Sequence, residues 1–370
     1  MHIAYLVSLD PYRSATGTEV GARNVAEAMS ARGHEVTIFH AYSTRSEAMN
    51  RSGVRTVGVR HTTIRFVAGA EANRKVLRAI QNDNGGRFDV IDLFGCGLGP
   101  AFSRAATIRT ARIYHAIDVA KLEWGAVERG KLASAPFYLS LMLAERTAVL
   151  AADHIIAISR ATAEGLAKAH PRGLGETHVV PLPLRDEWFS SPENLRREHF
   201  LYIAAGRRRW TRVFLEALAR VRRDGVVAKG VVLREPRDEF RKQARTLGVD
   251  VDFLNFIPES TLREYYARAY ALVLPSSREG MCVPIIEAAS QGTPTIASPL
   301  PSVAEFVDDN ETGVLVRSAD PREWAEKMLL VMSDESLRRR LGSRARDKSE
   351  SYRASTVALT TENIYGRQSR

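Results

Sequence analysis

Cysteine is almost absent: two occur in 370 residues, Cys96 and Cys282, far apart in the chain. That scarcity excludes a disulfide framework, and no Cys/His run has the spacing of a metal site. Long apolar stretches are missing as well, so nothing reaches the roughly 20 residues that a membrane-spanning helix requires. The opening MHIAYLVSLDPY carries no basic leader, and its apolar run is too short for a secretory signal. A reducing cytoplasm is therefore the expected compartment. Neither an internal repeat nor a low-complexity segment occurs. Two nucleotide signatures are also lacking, GxGxxG and the glycine loop ending in Lys-Ser/Thr, which argues against a simple dinucleotide oxidoreductase and a phosphate-loop nucleotidase.

What is present is an ordinary soluble composition, 45% hydrophobic and 26% charged, at a length natural for two domains. The formal net charge is +10, and most of it is local: residues 196–245 hold 15 Lys/Arg against 6 Asp/Glu. Solvated helix faces, a phosphorylated substrate or an anionic membrane surface all use such charge. No aromatic-interleaved basic motif accompanies it, so no nucleic-acid partner is expected.

Short β-branched or apolar runs alternate with amphipathic stretches. Strands are expected at 2–7, 36–40, 90–94, 111–114, 154–158 and 178–180, and again at 200–204, 230–233, 251–254, 271–274, 295–297 and 313–316. Helical patterns lie between them, among them 21–32, 74–82 and 213–223. The alternation predicts an α/β protein of two doubly wound parallel-sheet domains, with ligands at the carboxyl ends of the strands and a cleft between the domains. The break falls at Pro181-Leu182-Pro183, where the residue before proline favours an extended chain. The expected domains are 1–183 and 184–348, with 349–370 a last helix that crosses back to the first domain.

Four places carry chemistry. Gly17-Thr18-Glu19-Val20-Gly21 follows the first strand and precedes a helix, where backbone can approach an anion, or where glycine simply turns the chain. His115 follows the strand at 111–114, with Asp118 close behind; a histidine there serves a reacting hydroxyl or packs in the fold. Gly206-Arg207-Arg208-Arg209-Trp210-Thr211-Arg212 follows the first strand of the second domain, and guanidinium forks match phosphate oxygens. The fourth place is the stretch from Ser276 onward. Pro284 suits a first helical position and Gly292 a left-handed position past the helix end. A helix at 285–291 is expected, with Glu279 in the loop before it and Glu287 in its first turn, favoured by the helix dipole. The amides of Gly280, Met281, Cys282 and Val283 lie in the same loop.

These pieces, in this order, resemble the retaining GT-B-fold glycosyltransferases of glycosyltransferase family 4, over nearly the whole chain. The carriers are Gly17 to Gly21 followed by Arg32-Gly33-His34-Glu35-Val36; Glu145 with Ala152-Asp153-His154-Ile155-Ile156-Ala157-Ile158-Ser159; and residues 251–257 with Leu262 and Tyr266-Ala267. The most specific is the pair Glu279-Gly280 and Glu287-Ala288, with seven residues between the acids, followed by Gly292-Thr293-Pro294 and Thr312-Gly313. The resemblance implies two Rossmann-like domains. It implies Glu279 at the sugar hydroxyls and anomeric centre, Glu287 on the ribose, the 280–283 amides on the donor sugar and Gly17 against the diphosphate. It places His115 at the donor sugar near the acceptor and Phe256 beside the base. Arg207 matches the family's arginine. The family's lysine is missing, and its role falls to Arg209 or Arg212. The glycines after the next strand are replaced by Arg234-Glu235-Pro236, and a glycine pair further on by Leu300-Pro301. Side chains are thus expected to take over part of the diphosphate binding.

The implied reaction moves a hexosyl unit from a UDP- or GDP-sugar to a hydroxyl acceptor with retention, with no metal or other cofactor. The acceptor is a small molecule, a glycan or a lipid-linked species; Asp118 and Trp124 are its candidate contacts, in a segment (121–143) whose apolar residues line an acceptor pocket, touch a lipid or pack in the core. Peripheral membrane contact is compatible with the basic excess. Two other readings stand beside this one: a non-catalytic nucleotide-sugar sensor or subunit on the same fold, and a sugar-nucleotide epimerase.

Overall fold

A computed structural model describes the chain except residues 14–16, 44–46, 61–64, 84–86, 106–109, 121–134, 172, 191–194, 205–209, 236 and 368–370. It forms two compact units, Met1–Pro183 together with Ala354–Arg370, and Leu184–Arg353. No helix among the described residues is long and apolar enough to cross a membrane.

The N-terminal unit is built on strands β1 (His2–Val7), β2 (Glu35–Ser43), β3 (Glu47–Arg51), β4 (Val54–Arg60), β5 (Val90–Phe94), β6 (Ala111–Ala116), β7 (His154–Ala157) and β8 (Glu176–Val179). They form one sheet in the order β3-β4-β2-β1-β5-β6-β7-β8. All neighbours are parallel except β3 and β4. Helices α1 (Gly17–Ala31), α2 (Arg65–Asn82), α3 (Gly99–Ala105), α4 (Ala135–Ala151) and α5 (Arg160–Ala169) connect the strands. Strand β5 is buried at every position, so apart from Asp92 it is apolar on both faces rather than alternating. Helix α5 starts where Ser159 accepts the Thr162 amide at 3.0 Å.

The sheet departs from the sequence-based expectation at its edge. The hairpin β3–β4 was not anticipated. Arg51 and Val54 pair across a two-residue loop, Ser52-Gly53, in which both residues have positive φ (49° and 75°). That is the turn type whose twist matches antiparallel strands. Two helices also begin earlier than their apolar pattern suggests, α1 at Gly17 rather than 21 and α2 at Arg65 rather than 74.

The C-terminal unit has six parallel strands, β9 (His199–Ile203), β10 (Lys229–Leu233), β11 (Asp250–Leu254), β12 (Ala269–Leu274), β13 (Thr295–Ala297) and β14 (Gly313–Leu315), in the order β11-β10-β9-β12-β13-β14. Its helices are α6 (Thr211–Arg223), α7 (Asp238–Leu247), α8 (Glu259–Ala267), α9 (Val283–Ser290), α10 (Pro301–Ala304), α11 (Pro321–Ser333) and α12 (Glu335–Ser349). Alternate residues of β9 serve opposite faces. Phe200 and Tyr202 pack with Phe214 and Leu218 of α6 and Trp324 of α11. Leu201 and Ile203 pack with Leu262 and Tyr266 of α8 and with Ile285 and Ile286 of α9.

The expected last helix from 349 begins only at Ala354. Helix α12 ends at Ser349, a 3-10 turn spans Glu350–Tyr352, and α13 (Ala354–Gly366) follows as part of the N-terminal unit. Within that unit Glu362 accepts from Arg32 and lies 3.0 Å from His34 Nε2, while the Tyr365 hydroxyl donates to buried Asp92.

Candidate functional site

In each sheet the chain order reverses next to the first strand laid down, between β1 and β5 and between β9 and β12. At such a reversal the two flanking loops leave in opposite directions and open a crevice at the strands' carboxyl ends. Glu279 lies in the loop after β12, and in sequence the arginine cluster follows β9.

The β12 loop is tied down by backbone and hydroxyl contacts. The Trp210 amide donates to Pro275 O at 2.9 Å, the Ser276 amide to Ser298 Oγ at 3.0 Å, and Ser302 Oγ to the Glu279 carbonyl at 2.7 Å. Glu279 itself is half-buried. Gly280 and Met281 are half-buried beside it, and the Cys282 side chain packs in the core. Cys282 is therefore available to a ligand only through its backbone. The Val283 amide is turned inward, donating to Met281 O at 2.9 Å.

Glu287 is placed differently from the expectation. Helix α9 starts at Val283 with Pro284 second, so Glu287 is beyond the first turn, which contains no acid. The dipole argument for it falls, because that effect fades within a turn. A side chain holds it instead: the Tyr266 hydroxyl donates to Glu287 Oε2 at 2.5 Å. Tyr266 is fully buried, edge-on to Trp188 at 5.8 Å, and its carbonyl accepts from Thr293 Oγ1 at 2.7 Å. The end of α9 is fixed by Gly292, left-handed at φ 64° as expected from its position. Helix α12 lies so close there that a Cβ at Gly342 would come within 2.2 Å of Gly292 O.

Arg207 and Arg209 lie outside the described residues. Arg212 is the second residue of α6, its side chain 74% exposed, with Nε donating to Glu216 Oε1 at 2.7 Å one turn on. That is a helix-surface pair, and a poor match for the missing lysine. Behind it runs a polar chain the sequence reading did not find. The Tyr202 hydroxyl lies 3.1 Å from Thr211 Oγ1, which donates to Glu235 Oε2 at 2.8 Å. Arg237 grips the same carboxylate with two bonds of 2.7 Å. Burial alone would raise the Glu235 pKa, but the bonds from Arg237 and Thr211 outweigh it and hold the carboxyl below its usual range. Arg234, just after β10, is exposed and holds a left-handed φ of 62° with its amide on Leu254 O at 2.9 Å. A non-glycine residue in that region costs about 1 kcal/mol, and the signal for it was the substituted glycine. Phe256, after β11, is 73% exposed and presents its ring to solvent.

In the N-terminal unit His115 lies inside β6 rather than after it, and it is 1% exposed. Its Nδ1 faces both oxygens of Asp92 at 3.0 and 2.9 Å, and its ring stacks on Phe94 at 4.1 Å. Asp92, itself fully buried, also accepts from Tyr365, whose hydroxyl is 3.3 Å from that of Tyr5. The arrangement orients the imidazole and leaves Nε2 as the edge turned away from Asp92. Gly17 is the first residue of α1 and exposed, with open space where a side chain would stand. Glu19 in the same turn is buried, which raises its pKa, while the Leu9 amide bonds to it and pins the loop. Across the reversal, Gly97 approaches Ser8 so closely that a Cβ would meet its Oγ at 2.6 Å. The signal for that contact was Gly95-Cys96-Gly97 directly after a strand.

Asp118 is half-buried and accepts from the Val119 amide at 3.0 Å. Nearby Glu145 is buried, takes the Ala120 amide at 2.7 Å and lies 2.8 Å from His170 Nε2. Burial pushes its pKa up, against the pull of those bonds. The Cys96 thiol is pushed to about 12 by burial and is no nucleophile at neutral pH. Trp124 lies outside the described residues. Of the apolar run beyond it, Phe137, Leu139 and Leu143 on α4 are 48%, 48% and 67% exposed, so core packing does not explain these three.

Two family models match. Residues 16–183 fit a glycosyl transferase 4-like domain and residues 186–348 fit glycosyl transferases group 1, together nearly the whole chain. A D-inositol 3-phosphate glycosyltransferase from Xylanimonas cellulosilytica is 25% identical over 95% of this chain and 91% of its own. Matches to Corynebacterium proteins of the same description reach 32% and 31% identity but span only 31% and 29% of those relatives' length. Among solved structures, a sucrose-phosphate synthase from Thermosynechococcus elongatus superposes with TM-score 0.82 at 20% identity over 99% of both chains. Anabaena HepE, solved with UDP-glucose, gives 0.76 at 16% identity over 99% of this chain and 100% of its own. At these identities the structural likeness speaks for the fold.

Proposed function

The chain belongs to the GT-B-fold glycosyltransferases of family 4, and we propose that it moves a hexosyl unit from a UDP- or GDP-sugar to a hydroxyl acceptor with retention at the anomeric carbon. The observation that carries the reading is the placement of two carboxylates at the carboxyl end of β12: Glu279 in an anchored loop and Glu287 held by the buried Tyr266 hydroxyl. Carboxylates accept hydroxyl pairs, and the sugar and ribose of a nucleotide sugar offer both. The HepE complex with UDP-glucose supports this donor class.

The reaction needs two charges stabilised. As the anomeric C–O bond breaks, the diphosphate gains negative charge and the sugar becomes an oxocarbenium-like cation. Arg207, with Arg209, takes the first, since fixed guanidiniums beside a leaving phosphate lower the barrier without a metal. Arg234, standing where the family's glycines would be, adds to that field. Glu279 takes the second, while amides of its loop donate to oxygens of the donor. The acceptor oxygen attacks on the face the diphosphate leaves, and its proton passes to the departing phosphate oxygen. Gly17 lies at the diphosphate and His115 serves the donor sugar, with Asp92 fixing its ring. Asp118 and Trp124 serve the acceptor, and the protein works in the cytoplasm.

A second reading, a nucleotide-sugar sensor, rests on one observation: Arg212, a candidate for the missing lysine, is spent on Glu216. A panel of UDP-, GDP-, ADP- and dTDP-sugars decides between them, read by released nucleoside diphosphate and by the anomeric configuration of the product. Donor-dependent release with retained configuration supports the transferase. Binding without release would establish the sensor.

A further inference from the structure

We propose that His154, Glu176 and His178 form a binding site for one zinc-like divalent transition-metal ion at the edge of the N-terminal sheet. The residues meet because of strand register. His154 opens β7 and pairs directly with Glu176, which opens the edge strand β8. His178 stands two positions further along β8, and the two-residue period of a strand returns it to the face of Glu176.

The distances fit a metal. His154 Nδ1 and His178 Nε2 are 3.3 Å apart. The Glu176 carboxylate lies 3.5 Å from His154 Nδ1 through one oxygen and 3.6 Å from His178 Nε2 through the other. A tetrahedral ion with bonds of about 2.0–2.1 Å holds its ligand atoms about 3.3–3.4 Å apart. Two imidazole nitrogens and a carboxylate oxygen are a ligand set suited to zinc and its neighbours.

The surroundings favour the ligating state. His154 and His178 are largely buried, while Glu176 is 56% exposed and leaves a path for the ion and a position for water. Arg367 lies 3.5 Å from Glu176 Oε1 and is the cation with which a metal would compete. A bound ion would cross-link β7 to a four-residue edge strand that otherwise has one neighbour. The motif was invisible in sequence, because 21 residues lie between His154 and Glu176.

The test is zinc binding by the full, tag-free chain, measured by competition with a chromophoric chelator, with cobalt(II) absorption reporting tetrahedral geometry. One ion per chain is expected, with a rise in melting temperature that EDTA reverses. Glu176→Gln and His178→Ala should each weaken binding about 100-fold and abolish the rise. Glu176→Gln is at an exposed edge position and keeps the fold if the other variant does not. Binding that is absent in the wild type, or equal in wild type and variants, would overturn the site.

Discussion

Replacing Tyr266 by Phe removes one oxygen from the C-terminal unit and nothing else. The ring keeps its edge contact with Trp188 at 5.8 Å and its place in the core. What disappears is the 2.5 Å bond that aims the Glu287 carboxylate. A hydrogen bond to a charged group is worth about 1.5–3 kcal/mol. Glu287 is only half-buried, so in the variant water takes over the vacated lone pair and the cost to folding is small, below about 1.5 kcal/mol. The cost to ligand binding is larger, because a carboxylate no longer aimed by that bond must be ordered again by the ribose. At about 1.4 kcal/mol per decade, the donor KM should rise roughly 10–100-fold with kcat nearly unchanged. Steady-state release of nucleoside diphosphate gives both constants, and urea unfolding gives the stability. A variant with wild-type KM would refute the assignment of Glu287 to the donor; a fall in kcat alone would move Glu287 toward the reacting centre.

His199 supplies a pH prediction. Its side chain is buried, Nε2–H donates to Tyr265 O at 2.9 Å, and burial pushes its pKa down to about 4. The unfolded chain takes up that proton near pH 6.5 and the folded one does not until about 4, so the unfolded state binds more protons and stability is lost as the pH is lowered through this window, by about 3 kcal/mol in all. Urea titrations between pH 7 and 4 should show the slope, and His199→Phe should flatten it; an unchanged slope contradicts the burial argument. Gly342→Ala would press a methyl group against Gly292 O at 2.2 Å, backbone against backbone. A loss of about 1–3 kcal/mol is expected, with a higher donor KM because α9 shifts, and a neutral result would mean the two helices are not so close.

The strands were legible because parallel strands covered on both faces read as apolar runs, as 230–233 and 271–274 do. Pro284 and Gly292 marked α9 to within two residues, since each answers a local backbone need. The hairpin was not legible as an apolar run: of its buried alternating positions Val54, Thr56 and Gly58 only the first is a large apolar residue, and Ser52-Gly53 was its one turn signal. The site was legible as residue types and illegible as partners. Glu287 was visible, but its anchor is 21 residues upstream in Tyr266. His115 was visible, but Asp92 and Tyr365 reach it from β5 and from the far end of the chain. Arg212 shows the converse, since its partner four residues on was readable from helix geometry and argues for a surface pair.

The central claim is that donor chemistry runs through Glu279 and Arg207. Its most direct measurement compares donor-dependent nucleoside diphosphate release by the wild type, Glu279→Gln and Arg207→Ala, with circular dichroism to show that each is folded. Each substitution should slow release by about 100-fold or more, the loss expected when a fixed charge on the transition state is removed. If both folded variants release nucleotide at the wild-type rate, the site has been placed on the wrong residues.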